Sequence, residues 1–142
     1  MSSLREQILA TIKTVLAAAA PGGATVFRSR EVSITRAVSP AVVIMPADNA
    51  LSRMATGADK NQLDVDIEIF TRGDPWDQLA DTVDTAAHST LMTNATLQAL
   101  ITDIRRVSET FEGQEADRTA GTLTLRYRIT FLTRATDITA AA

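Results

Sequence analysis

Strict two-residue alternation, in two separate stretches, constrains this chain more than any other feature. From Gln62 to Phe70, Leu63, Val65, Ile67 and Ile69 fall on one face, and Asp64, Asp66 and Glu68 on the other. From Thr122 to Phe131, Leu123, Leu125, Tyr127, Ile129 and Phe131 alternate with Thr124, Arg126, Arg128 and Thr130. Successive strand side chains point to opposite faces, so each stretch reads as a half-buried strand. Side by side they set an acidic row against a basic row, and opposite charges directly across a strand pair favour that pairing. The expected product is one sheet, apolar on one face and charged on the other. Such a charged face is either a recognition surface or simply solvated.

The remaining segments supply what covers the apolar face. Ser3-Leu4-Arg5-Glu6 has the form of a capping box, in which Ser3 accepts from the Glu6 backbone and Glu6 reaches back. Behind it Leu4, Ile8, Ile12, Val15, Leu16 and Ala19 recur at helical spacing until Pro21-Gly22-Gly23 stops the helix. Ala24 to Phe27 reads as extended, and Arg28 to Ser39 as an irregular edge. Pro40 to Pro46 is an apolar run fenced by prolines, expected as a strand buried on both faces. Ala47 to Asn61 shows no periodicity and reads as a long polar loop, with 48–60 flexible. Asp74-Pro75-Trp76-Asp77 opens a second helix, with Asp74 as N-cap and Pro75 at its first position. Trp76, Leu79, Ala80, Val83, Ala87 and Leu91 form its expected buried stripe. A short helix over Asn94–Ile101, a strand over Ile104–Phe111, a turn over Glu112–Ala120 and the basic strand follow. Residues 136–142 are expected to fray. The order implies a single α+β domain over 1–142, with a mixed, mainly antiparallel sheet and two to three helices on one face.

Composition narrows the chemistry. The chain has 142 residues, one domain by length, and no Cys, so disulfides, thiolate nucleophiles and zinc–cysteine sites are excluded. A net charge of −3 and 4% aromatics favour neither general nucleic-acid binding nor a base-stacking platform, so no sequence-specific nucleic acid is expected. Glu6, Gln7 and Lys13 interrupt the first twenty residues, which excludes a signal peptide there, and no run reaches a membrane span. A protein made inside a cell, without a membrane partner, is expected. Lys13 and Lys60 are the only lysines among 14 cations. Arg enrichment suits interfaces, although a GC-rich genome gives the same bias.

His88, four residues after Asp84 and on the wheel face of Asp77 and Asp81, lacks the three or more donors a metal site needs. Those residues read as a solvated acidic helix face, with no metal. Asp64 and Asp66 have the alternate placement that paired carboxylates need for acid–base work. Their match to Arg126 and Arg128 favours sheet pairing or an interface instead. No G-x-S-x-G, glycine-rich phosphate loop or H-E-x-x-H occurs. No catalytic residue, cofactor or enzymatic activity is expected.

From roughly residue 4 to 133, the chain resembles the tail terminator proteins of long-tailed phages. The likeness rests on the opening helix, Gly23-Ala24-Thr25-Val26-Phe27, Pro40-Ala41-Val42-Val43-Ile44, the long polar loop, and the strand Leu63–Phe70. It continues with the helix begun by Asp74-Pro75-Trp76 and the strand containing Tyr127-Arg128-Ile129-Thr130-Phe131. The resemblance implies a structural subunit forming a six-membered ring on the tail tube. Such a ring stops tube polymerisation and presents a surface to the head. The implied partners are the chain itself, the tail tube protein and a head-completion or connector protein. The implied location is the virion tail, assembled in the host cytoplasm. It also implies a mobile loop that orders on assembly, which here is the segment near 47–60. Its charges balance, Asp48 and Asp59 against Arg53 and Lys60. The candidate assembly residues are Leu51, Arg53 and Met54 in that segment and Asp64, Asp66, Glu68, Arg126 and Arg128 on the charged face. The alternatives are another head–tail joining or tail-completion protein, or a dimeric α+β domain that binds a small ligand.

Overall fold

The computed structural model describes residues 2–29, 39–114 and 119–142. Helix α1 (Leu4–Ala19) and a short 3-10 turn (Pro21–Gly23) lead into strands β1 (Thr25–Arg28), β2 (Ala41–Arg53) and β3 (Ala58–Arg72). Helices α2 (Trp76–Thr93) and α3 (Ala95–Leu100) precede β4 (Asp103–Gly113), β5 (Ala120–Arg134) and β6 (Asp137–Ala141). The sheet order is β1-β2-β3-β5-β4, with β6 also on β5. β1 and β2 are parallel and every other pair is antiparallel. The helices lie on one face, as an α+β fold of this element order requires.

The two alternating stretches are the centre of this sheet. β3 and β5 pair in register from Ala58↔Arg134 to Arg72↔Ala120. Leu63, Val65, Ile67 and Ile69 lie opposite Ile129, Tyr127, Leu125 and Leu123, and all eight are buried in the core beneath the helices. Ala41, Val42, Val43 and Ile44 are fully buried, as the proline-fenced run predicts for burial on both faces. β2 continues past Pro46, however. The register shifts between Pro46 and Asp48, and a bulge there tolerates the missing N–H.

Helix α1 is capped as expected at one point only. The Ser3 hydroxyl accepts from the Glu6 N–H at 3.1 Å, but the Glu6 carboxylate turns away to Arg28, meeting both terminal nitrogens at 2.5 and 2.6 Å. Those hydrogen bonds hold the Glu6 carboxyl below its ordinary range and tie α1 to β1. The buried stripe is Leu4, Ile8, Leu9, Ile12 and Leu16, so Leu9 replaces Val15 and Ala19. At α2 the N-cap is Pro75 rather than Asp74, with no side-chain cap. The Thr71 hydroxyl instead donates to the Trp76 carbonyl at 2.7 Å, anchoring the first turn to the end of β3. Leu79, expected inside, is 44% exposed. The short helix begins at the Asn94 cap, which accepts from Leu97, and it buries Leu97 with Leu100 and Ile101 against the core.

Two expected irregular segments differ. Ala47 to Asn61 is a β-hairpin rather than a loop. Its two strands pair from Asp48↔Asp64 to Arg53↔Asp59 and turn at Met54–Gly57, where Gly57 adopts φ +86°. No hydrophobic alternation marks it, because the helices cover no core beneath this end. Residues 136–142 are mostly β6 rather than a frayed end. The Gln7 amide donates to the Thr139 carbonyl at 3.1 Å, and Asp137 accepts from the Thr139 N–H and hydroxyl. The irregular edge expected at Arg28–Ser39 lies largely outside the described residues, as does the centre of the 112–120 turn.

Trp76 fixes where α2 begins over the sheet. A Cβ at Gly121 would lie 2.3 Å from the indole, so only glycine lets this ring rest on β5. Gly121→Ala is expected to lower stability by about 1–3 kcal/mol through overpacking. Urea denaturation reads this, and an unchanged midpoint would contradict the close approach.

Candidate functional site

The open sheet face carries the charged rows in the expected register. Arg128 grips Asp64 through Nε (2.9 Å) and Nη2 (3.3 Å), and Arg126 grips Asp66 the same way at 2.8 and 3.0 Å. Both arginines are held more firmly in their charged form, chiefly by these hydrogen bonds. Glu68 lies opposite Thr124. The face extends beyond the two strands read from the sequence. Asp48 of β2 stands beside Asp64, and Arg105 of β4 beside Arg128. One row across four strands therefore reads Asp48, Asp64, Arg128, Arg105. The face is acidic on β3 and basic on β5, where the two rows neutralise each other, while β4 adds Asp103, Arg105 and Glu112.

Leu51, Arg53 and Met54 do not join this face. Leu51 pairs with Asn61 and Arg53 with Asp59, which puts Leu51 and Arg53 on the helix side of the sheet, beyond the helices. Leu51 is 65% exposed, and Arg53 donates from Nε to Asp59 at 2.6 Å. At the root of this hairpin Asn61 is buried and its side-chain amide donates to the Thr133 hydroxyl at 3.1 Å, while the Asn49 amide donates to Asn61 Oδ1 at 3.2 Å. The candidate residues thus form two groups, a charged sheet face and a hairpin end where exposed Leu51 and Met54 stand beside the Arg53–Asp59 pair.

A third group escaped the sequence reading. Tyr127 is buried by its alternation, and a buried phenol needs a polar partner. Arg106 Nη2 donates to the Tyr127 oxygen at 2.8 Å. The same oxygen lies 2.8 Å from His88 Nδ1, within hydrogen-bond distance. Arg106 also makes a two-pronged pair with Asp84, and its Nη1 meets Glu109 at 2.7 Å. Burial pushes the Tyr127 hydroxyl up, partly offset by Arg106. Burial works against the Arg106 charge, but the hydrogen bonds from Asp84, Tyr127 and Glu109 outweigh it. Asp84 is buried and His88 half-buried, so the expected solvated face holds only for Asp77 and Asp81. The signal present in the sequence was the polar tip of Tyr127 within an otherwise apolar row.

These groups do structural work. The network ties α2 to β4 across β5. Among the described residues no three His, Asp or Glu side chains are placed to hold a metal. An open pocket of about 260 Å³ beside Pro40, Thr71, Arg72 and Val83 is lined by no carboxylate or histidine. No described helix is long and apolar enough to cross a membrane. Tyr127→Phe removes the hydroxyl that Arg106 and His88 share. The expected loss is about 1–3 kcal/mol in chemical denaturation, and a loss within error would contradict the network.

No curated protein matches the sequence. The fold is similar to a chain in a solved structure described as "Virion of native gene transfer agent (GTA) particle". That likeness has a TM-score of 0.64 and 18% identity over 92% of this chain and 92% of that chain. At that identity it bears on the fold alone, and there it agrees with the sheet and helix arrangement above. The sequence itself matches a family of viral structural proteins across all but its last strands, and the chain belongs to that family, phage minor tail protein U, over residues 1–131.

Proposed function

We propose that this minor tail protein is a tail terminator: subunits close into a ring, expected to be a hexamer, on the end of the tail tube. The ring stops tube polymerisation and offers a joining surface to a head-completion or connector protein. The observation that carries this reading is the projecting β2–β3 hairpin, whose Leu51 is 65% exposed and Met54 36%. It extends past the helices and serves no core of its own. Apolar side chains displayed on a rigid hairpin suit a contact that forms after folding. The charged face suits the ring's inner or subunit-facing surface. Its charges are already paired, so approaching another surface costs less desolvation than it would for lone ions, while the acidic and basic halves fix register. A terminator acts by geometry, so it has no need of a catalytic group or cofactor.

The test is to polymerise purified tail-tube subunits with and without this protein and measure tube lengths by electron microscopy. The expected outcome is short tubes of limited length carrying a ring at one end. Tubes that lengthen equally in both samples, with bare ends, would refute the reading. Rings that bind tube ends without limiting growth would favour another head–tail joining role.

A further inference from the structure

β4 does not reach the end of the strand it edges. It pairs with β5 from Gly121 to Thr130, and the Thr102 N–H donates to the Thr130 carbonyl at 2.8 Å. On the other side β3 follows β5 as far as Arg134. The edge that β4 leaves at Leu132, Thr133 and Arg134 is taken by β6, end to end with β4. Thr133 stands opposite Ala141 and Arg134 opposite Asp137, and the Ala142 N–H donates to the Leu132 carbonyl at 3.1 Å.

β6 is held there weakly, for reasons that lie in its sequence. Arg134 and Asp137 pair across a two-residue turn, Ala135-Thr136. Two-residue turns that match the twist of their strands need left-handed backbone at a central residue. Neither Ala135 nor Thr136 has a positive φ. The register slips between Thr133 and Arg134, so Ile138, Thr139 and Ala140 stand opposite no residue of β5. β6 adds no side chain to the core, and Ile138 is 58% exposed. The Asp137 carboxylate turns inward on its own segment, accepting from the Thr139 N–H and hydroxyl. The link to the body is Gln7 of α1, whose amide nitrogen donates to the Thr139 carbonyl at 3.1 Å and to the Ser2 carbonyl at 3.0 Å.

The rest of this sheet edge is protected in another way. An open edge offers unpaired N–H and C=O groups to any strand, and bulges and charges blunt it. β4 has both, a register shift between Arg106 and Ser108 and the exposed side chains of Arg105, Glu109 and Glu112. Leu132 and Thr133 have neither, since β5 runs regularly against β3 through this stretch.

We infer that β6 is an edge guard. It is a strap that opens while the sheet stays folded, and it keeps the end of β5 from pairing with a strand of a second copy of this chain. Closed, it occupies the backbone groups of Leu132 to Arg134. Open, it leaves a regular strand end beside β3 that accepts an extended segment. The guard does not depend on the ring reading.

Gln7→Glu tests the strap, because a carboxylate keeps the side-chain length but cannot donate to either carbonyl. Gln7→Lys restores a donor. Hydrogen exchange read by mass spectrometry should show 135–142 exchanging ahead of 120–130 in the unaltered chain. Gln7→Glu should speed exchange at 135–142 by about tenfold, the scale of one lost hydrogen bond, with the urea midpoint unchanged. In sedimentation velocity, Gln7→Glu and a chain ending at Arg134 should form larger species than the unaltered chain at the same concentration, and Gln7→Lys should not. Leu132 carries the blocking variant. Its carbonyl faces β6, and in an antiparallel strand its N–H points the same way. Leu132→Pro therefore removes an edge donor without breaking the β3 ladder, and it should suppress association of the shortened chain. Unchanged exchange in Gln7→Glu would overturn the strap. Loss of the segment without added association would overturn the guard. Association that survives Leu132→Pro would place the contact elsewhere and overturn it too. If Gln7→Glu lowers the urea midpoint, the shortened chain with and without Leu132→Pro decides the matter.

Discussion

The pairing of β3 with β5 is the constraint from which the rest of the structure follows. Strand side chains alternate, so a slip of one residue would exchange the faces. Asp64, Asp66 and Glu68 would then enter the core, and Leu63, Val65 and Ile67 would leave it. The hydrophobic face alone selects this parity. The two arginine–carboxylate grips select among slips of two residues, which would preserve parity but break Asp64–Arg128 and Asp66–Arg126. The charged rows therefore contribute more to register than to stability, since exposed pairs of this kind are individually weak.

With the register set, the two faces take on different chemistry, one apolar and one charged. The inner face takes α1 and α2, and its fit is tight at Gly121, where Trp76 sits directly on the backbone of β5. The His88–Tyr127–Arg106–Asp84 network then holds β4 to α2, although no helix covers the full width of that strand. Without this tether, β4 would be an edge strand held from one side only.

Much of this architecture was legible in the sequence, because the residues with the clearest pattern are those with a core to face. Leu63 to Phe70 and Leu123 to Phe131 could be placed, paired and turned the right way from alternation alone. The hairpin was not legible for the converse reason. Asn49, Leu51 and Arg53 alternate with Ala50 and Ser52, but the buried contacts at this end are made by the polar Asn61 and Thr133, so no apolar period marks them. The polar cluster was hidden because helical spacing groups Asp84 and His88 with the exposed Asp77 and Asp81. Only the sheet's curl under α2 brings Arg106 and Tyr127 up to meet them. Asp48 sat in the segment read as a loop, and Arg105 in the expected strand Ile104–Phe111, whose adjacent arginines hide which of them faces outward.

The central proposal is that this minor tail protein closes on itself into a ring. Native mass spectrometry of the species assembled on and released from tube ends tests it most directly. The account predicts one closed oligomer, a fixed multiple of the 15.2 kDa chain whose size does not change with protein concentration. A dimer would mean a self-complementary contact, and a series of species growing with concentration would mean a head-to-tail contact that fails to close; either result would contradict it.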